Sequence, residues 1–134
     1  ISVEELLHVK QVYELIRYRG SQLNGVFQKD PYIKGIMSIV RSDSDELFMD
    51  RLIIASIAEL RGSERFKLIG KVVKDKKISK FYLNLHKQEL EHIDSFIKMA
   101  KVYFDNETVN KRTEIILQRE AEVSSSLPWR SAIH

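Results

Sequence analysis

An all-α fold is predicted for this chain by three features: only two prolines and five glycines among 134 residues, abundant Leu, Ile, Glu, Lys and Arg, and apolar residues that recur at three-and-four spacing. A sandwich or barrel would need many more turns. With 43% hydrophobic residues the chain can bury one core, and a single domain over residues 1–134 is expected.

The first helix is expected from Ile1 to about Arg19, where Ile1, Glu5, His8, Val12, Leu15 and Ile16 share one face and Gly20 provides the stop. Residues 21–30 read as a connection through Gly25 and the Asp30-Pro31 step. A short helix from Tyr32 to Val40 and a polar break at Arg41 to Asp45 complete a long crossover. A second long helix runs from a Ser44 cap to Val73, with Gly70 as a candidate break. The lysine-rich turn at Lys74 to Lys77 leads into a third helix from Ser79 to about Phe104. After Asp105-Asn106 a last helix spans Thr108 to Val123, and Pro128 prevents its continuation. The first residues read as helix interior without a cap, so a further segment is expected ahead of Ile1.

Charge and composition narrow the chemistry. A net charge of +3 and a pI near 9.1 suit a polyanionic partner, but 22 basic and 19 acidic residues are interspersed, so nucleic acid is permitted rather than implied. The absence of cysteine excludes disulfides, thiolate catalysis and thiolate-held zinc or iron–sulfur clusters, and fits a cytoplasmic location. Any metal must be held by imidazole and carboxylate. No apolar run approaches the ~20 residues of a membrane span, so no membrane partner is expected.

Two copies of Glu-x-x-His carry the functional signal: Glu5-Leu6-Leu7-His8 and Glu89-Leu90-Glu91-His92. Residues three apart on a helix lie on one face, so each pair can reach one metal, and two such helices can hold two ions through bridging carboxylates. Ferritin-like di-iron proteins are built this way, with one more Glu from each of the other two helices. Extending the second pair gives the row Ile78, Tyr82, Leu85, Glu89, His92, Phe96, Met99 and Tyr103, which is otherwise apolar or aromatic and points to the core. Glu91 falls on the solvated face with Lys87, Asp94 and Lys98. In the first helix Glu5 and His8 run with Val12 and Leu15, so Glu5 turns inward and Glu4 outward.

The middle helix offers a third carboxylate. Phe48, Leu52, Ala55, Glu59, Gly62, Phe66 and Ile69 form a row with one ionisable member, Glu59. The row of Glu64, with Ile53, Ile57, Leu60 and Leu68, is nearly as apolar, so periodicity leaves Glu64 open as a residue supporting the site. Burying lone carboxylates costs several kcal/mol, and three inward glutamates with two inward histidines call for a cation. Oxygen and imidazole donors suit iron or manganese, and also zinc.

These residues resemble a known family. Glu59-Leu60-Arg61-Gly62-Ser63-Glu64-Arg65-Phe66 is similar to the Glu-Ala-Arg-Ser-Cys-Glu-Arg-Phe signature of the MiaE-type tRNA hydroxylases, and Val3-Glu4-Glu5-Leu6-Leu7-His8 resembles their Glu-Glu-Leu-x-His-Phe segment. Asp50-Arg51-Leu52, Phe81-Tyr82, Arg119-Glu120-Ala121-Glu122 and Ile133-His134 follow in the family's order. The resemblance implies a ferritin-like four-helix bundle with a long crossover, and metal ligands Glu5, His8, Glu59, Glu89 and His92. It also implies two iron ions, dioxygen as co-substrate, and hydroxylation of the isopentenyl group of a modified adenosine in tRNA. Electrons would come from an external reductase or ferredoxin-like donor. Departures are Gly62 and Ser63 in the signature, and Val9 and Ile93 after the ligand histidines. The family's first ligand-bearing helix is also absent, and is expected before Ile1. Without it, the Glu5 and His8 row would leave an apolar groove in water.

Two rival functions share part of this pattern: a ferritin-like ferroxidase or iron-binding protein, and a metal-free helical interaction module. Lys71, Lys74, Lys76, Lys77 and Lys80, like Arg17 and Arg19, could steer an RNA backbone, though a solvated helix turn is the favoured reading. His86 reads as a surface residue off the metal row, and Trp129 as an apolar anchor for the tail.

Overall fold

The computed structural model describes residues 2–23, 25 and 29–128, apart from the side chains of residues 2 and 91. Its helices are α1 (Ser2–Tyr18), α2 (Pro31–Met37), α3 (Ser44–Val72), α4 (Lys76–Tyr103) and α5 (Asn106–Ser126). The side chain of Glu91, Trp129 and the Ile133-His134 pair, on which expectations rested, lie outside the described residues.

Aspartates set where four of these helices begin. Asp30 accepts from the Tyr32 amide, Asp43 from Asp45 and Glu46, Asp75 from Lys77 and Ile78, and Asp105 from Thr108. Each satisfies first-turn donors that have no partner within the helix, worth about 1 kcal/mol per cap. Asp43, not Ser44, therefore caps α3. Likewise α4 starts three residues before the expected Ser79, and α5 two before Thr108. At the far end of α1, Gly20 adopts φ 69°, the left-handed conformation that closes a helix at least cost when the residue is glycine.

Helices α3 and α4 form the long antiparallel pair of the fold. Phe48 meets Tyr103 edge to face, Ser56 Oγ donates to the Ile93 carbonyl at 2.7 Å, Ser63 contacts His86, and Ser79 Oγ donates to the Gly70 carbonyl at 2.6 Å. The register is constant along the pair and sets Glu59 level with Glu89. Gly70 is not a break. It lies inside α3 because Leu83 of α4 packs so closely that an added Cβ would come within 2.8 Å of the leucine Cγ.

The main apolar core lies on another side of α3, among α2, α5 and the end of α4. Tyr32, Ile36, Met49, Ile53, Ile57, Ala100, Val109 and Ile116 are buried there. Two buried carboxylates fasten the same elements. Asp50 receives Arg112 Nε and Nη2, each at 2.8 Å, and Arg41 Nη2 at 2.8 Å. Glu120 receives Arg61 Nη2 at 2.9 Å, Tyr32 Oη at 3.0 Å and Ser124 Oγ at 3.0 Å. Both charges are paired and hydrogen-bonded, as burial requires. The α4 row enters the interior only in part. Ile78, Leu85, Glu89 and His92 are buried, whereas Met99 and Tyr103 emerge near the helix end, where Phe48 is also exposed.

Candidate metal centre

Helices α1 and α4 bring the two Glu-x-x-His pairs face to face. His8 Nδ1 lies 3.1 Å from Glu89 Oε1 and 3.6 Å from Glu5 Oε2, and His92 Nδ1 lies 3.6 Å from Glu89 Oε2 and 4.0 Å from Glu5 Oε1. His8, Glu89 and His92 are buried and Glu5 is partly exposed. One donor atom each from Glu5, His8 and Glu89 falls within 4.8 Å of the others, close enough for a shared ion.

From α3, Glu59 joins the cluster through a hydrogen bond with Glu89. Burial pushes the Glu59 carboxyl upward, and Glu89 and Glu5 push it further, to about 7. Glu89 is also raised, by burial first, while its hydrogen bond with Glu59 pulls the other way and Glu5 and Glu4 add to the rise. Crowded carboxylates of this kind resist ionising together unless a cation lies among them. All five residues expected as ligands thus meet in one place.

Whether a metal fits can be judged from the donor atoms themselves. Glu5 Oε1, His8 Nδ1, Glu89 Oε2 and His92 Nδ1 are buried with no hydrogen-bond partner among the described residues. Buried polar atoms in folded proteins are almost always satisfied. These four come one from each member of the two Glu-x-x-His pairs. Imidazole nitrogen and carboxylate oxygen are the donors that iron, manganese and zinc accept, so the residues present fit such a metal.

Three residues depart from what periodicity suggested. Glu4 does not simply face solvent: its Oε2 lies 3.3 Å from His92 Nε2, on the side of the ring away from the other carboxylates. Glu64 does not support the site; it is exposed and pairs with Arg61 at 2.9 Å. His86 is half-buried, with Nδ1 2.7 Å from the buried Ser63 Oγ. The Glu4 contact crosses between helices, so no single-helix row could have revealed it. An apolar groove bordered by Leu6, Val9, Val12, Phe66 and Leu85 runs up to Glu5, His8 and Glu89, along the row where one was expected.

Comparison with known proteins bears on this arrangement. The family model described as tRNA-(MS[2]IO[6]A)-hydroxylase (MiaE) matches residues 1–134. The tRNA 2-(methylsulfanyl)-N(6)-isopentenyladenosine(37) hydroxylase of Pseudomonas putida is 30% identical over 123 residues, which cover 92% of this chain and 59% of that protein. The protein of the same name from Salmonella typhimurium is 28% identical over 120 residues, covering 90% and 43%. This chain therefore spans about half the length of the curated relatives it matches. Among solved structures, protein 43 with aldehyde deformylating oxygenase activity from Synechococcus superposes with a TM-score of 0.86 over 97% of this chain and 63% of that one, at 22% identity. That likeness establishes the fold, an all-helical bundle of the ferritin-like type.

Proposed function

The chain belongs to the MiaE family of tRNA hydroxylases, and from that premise we propose that it forms the metal-binding part of a di-iron, dioxygen-dependent monooxygenase acting on the isopentenyl group of a modified adenosine in tRNA. The observation that carries the metal half of this reading is the set of four buried, unpartnered donor atoms on Glu5, His8, Glu89 and His92. The substrate half rests on the relatives.

In this reading Glu5, Glu59 and Glu89 would hold the two ions together with His8 and His92. The bound iron pair would supply the activation of dioxygen that a hydrocarbon C–H bond requires. One oxygen atom enters the C–H bond and the other leaves as water, so two electrons and two protons are drawn from outside. A reductase or ferredoxin-like protein is the class of donor. The Glu59 carboxyl, pushed up to about 7 by burial and by Glu89 and Glu5, would give up its proton on holding a cation. Among the described residues no helix is long and apolar enough to cross a membrane.

The rival readings have less support. A metal-free interaction module leaves the four buried atoms without a purpose, and a ferroxidase leaves the relatedness to tRNA hydroxylases unused. Elemental analysis of the full-length protein tests the first point: clearly less than one iron or manganese per chain would sink the metal assignment. Mass spectrometry of nucleosides from tRNA of cells with and without the gene tests the second. The hydroxylated nucleoside is expected only where the gene is present, and equal amounts in both would remove the hydroxylase reading.

A further inference from the structure

Six exposed lysines line one concave surface where α3 turns into α4: Lys67 and Lys71 from α3, Lys74 from the turn, and Lys76, Lys80 and Lys87 from α4. We propose that this strip is the docking surface for the sugar-phosphate backbone of the RNA substrate, an inference that rests on the tRNA reading above.

Lysines at a helix turn are ordinarily solvated, and four observations change that balance here. First, the cluster visible along the sequence runs only from Lys71 to Lys80, whereas folding adds Lys67 and Lys87 to the same concavity. Second, no carboxylate lines the surface, and none of the six lysines pairs with an acidic residue among the described residues, although lysines elsewhere do: Lys98 with Asp94, and Lys111 with Glu107. Unneutralised charge gathered in a concavity attracts a polyanion more strongly than the same charge spread over a convex face.

Third, a hydrogen-bonding side chain is fixed among the lysines. His86 lines the surface, and its Nδ1 lies 2.7 Å from Ser63 Oγ, a residue 1% exposed. With Nδ1 engaged by Ser63, Nε2 is the ring nitrogen left to contact an RNA group. Fourth, the strip shares α3 and α4 with aromatic rings and with the metal-centre residues Glu59 and Glu89. Lys67 follows Phe66, which borders the groove ending at Glu89, and Phe66 packs against Tyr82 with ring centroids 5.9 Å apart. From Lys76 to Glu89 is thirteen residues of α4, roughly 20 Å at 1.5 Å per residue. That length accommodates several consecutive phosphates. A basic track combined with aromatic side chains is how single-stranded RNA segments are held, the backbone by charge and the bases by stacking.

The test is RNA binding by the iron-loaded, full-length protein, measured by fluorescence anisotropy with an anticodon stem-loop RNA over a range of salt. The quadruple variant Lys67→Gln, Lys71→Gln, Lys74→Gln, Lys80→Gln is compared with a charge-matched control, Lys34→Gln, Lys98→Gln, Lys101→Gln, Lys111→Gln. The strip variant should bind at least tenfold more weakly. The slope of log K against log salt should be shallower by about 3, or ~0.7 for each phosphate no longer neutralised. The control should change less than twofold. Iron content and circular dichroism equal to the parent protein exclude loss of fold as the cause.

Equal weakening in both variants would mean net charge alone acts, and undiminished binding in the strip variant would mean RNA docks elsewhere; either overturns the proposal. Intact RNA binding with loss of turnover driven by an acidic electron-donor protein would overturn it too, assigning the strip to that partner. The two readings fail separately. Hydroxylated nucleoside formed by a protein whose RNA affinity ignores these lysines removes the docking surface alone. RNA binding through the lysines without any hydroxylated product removes the hydroxylase reading alone.

Discussion

His92 turns its Nε2 toward Glu4 Oε2, 3.3 Å away, while its Nδ1 faces the carboxylates of the cluster. A carboxylate on the outer nitrogen fixes which tautomer the ring adopts: with the proton on Nε2, the Nδ1 lone pair is free for a metal. Partners of this kind change metal affinity ~10–100-fold when removed. Glu4→Gln should therefore weaken iron retention by roughly that factor, read by competition with a chelator, with helicity unchanged. An affinity equal to the parent's would reduce Glu4 to a surface charge. Because Glu4 precedes Glu5, a mixed-up ligand assignment is also testable, since Glu5→Gln should cost more than Glu4→Gln.

Glu59 gives a prediction with two opposite signs. Its carboxyl is raised to about 7, by burial and by the neighbouring Glu89 and Glu5. A carboxyl whose folded pKa lies above its unfolded value stabilises the fold fully below the unfolded value, near 4.5, and loses that contribution as pH rises through the folded one. The metal-free protein should thus lose stability between about pH 4.5 and 7. Glu59→Gln removes the titrating group, so the metal-free variant should melt higher than the parent at pH 7.5, while its iron content falls. If melting temperature and iron content fall together, Glu59 is a packing residue and not a ligand.

How much of this was legible in the sequence depends on where each interaction is made. Glu89 and His92 were readable because α4 packs one face against its neighbours, leaving a clean row of apolar residues around them. Glu59 and Glu64 were not separable by periodicity, because α3 is flanked by α4 on one side and by α2 and α5 on others, so more than one row is apolar. Family resemblance favoured Glu59, and the cross-helix register sets it beside Glu89. Asp50 and Glu120 appeared only inside matched segments, with nothing to mark them as buried, because their arginine partners come from 9 to 62 residues away. Helix starts were misplaced by two or three residues where an aspartate just outside the apolar pattern provided the cap.

Asp50 makes acid stability a direct readout of one such hidden cluster. Burial pushes its carboxyl up, but hydrogen bonds from Arg112 and Arg41 outweigh that and hold it down at about 2. The sign is the reverse of Glu59: the contribution is complete above the unfolded value near 4 and is lost as pH falls through about 2. A depression from 3.8 to about 2 corresponds to about 2 kcal/mol. Urea unfolding between pH 5 and 2 should show that loss in the parent protein. Asp50→Asn should abolish this part of the pH dependence and destabilise the fold at pH 7 by about 3–5 kcal/mol, because it leaves Arg41 and Arg112 without their shared carboxylate. A variant within 1 kcal/mol of the parent at pH 7 would show that solvent already screens the cluster.

Two glycines of α3 should respond to the same substitution in opposite directions. Alanine is favoured over glycine within a helix by about 1 kcal/mol, so the outcome turns on the space available for one methyl group. At Gly62 an added Cβ meets only Phe66 Cε2, at 3.9 Å, an ordinary contact. Gly62→Ala should raise stability by roughly 0.5–1 kcal/mol. At Gly70 the same atom would meet Leu83 Cγ at 2.8 Å and Leu83 N at 3.2 Å, and the latter is backbone that cannot rotate away. Separating α3 from α4 there costs about 1–3 kcal/mol, more than the helical gain in most of that range, so Gly70→Ala should be destabilising. The Ser79 hydroxyl, which donates to the Gly70 carbonyl at 2.6 Å, would be displaced as well. Thermal melts of the two variants check the pair. Stabilisation by both would mean that the α3–α4 contact at Gly70 is looser than the Leu83 packing indicates.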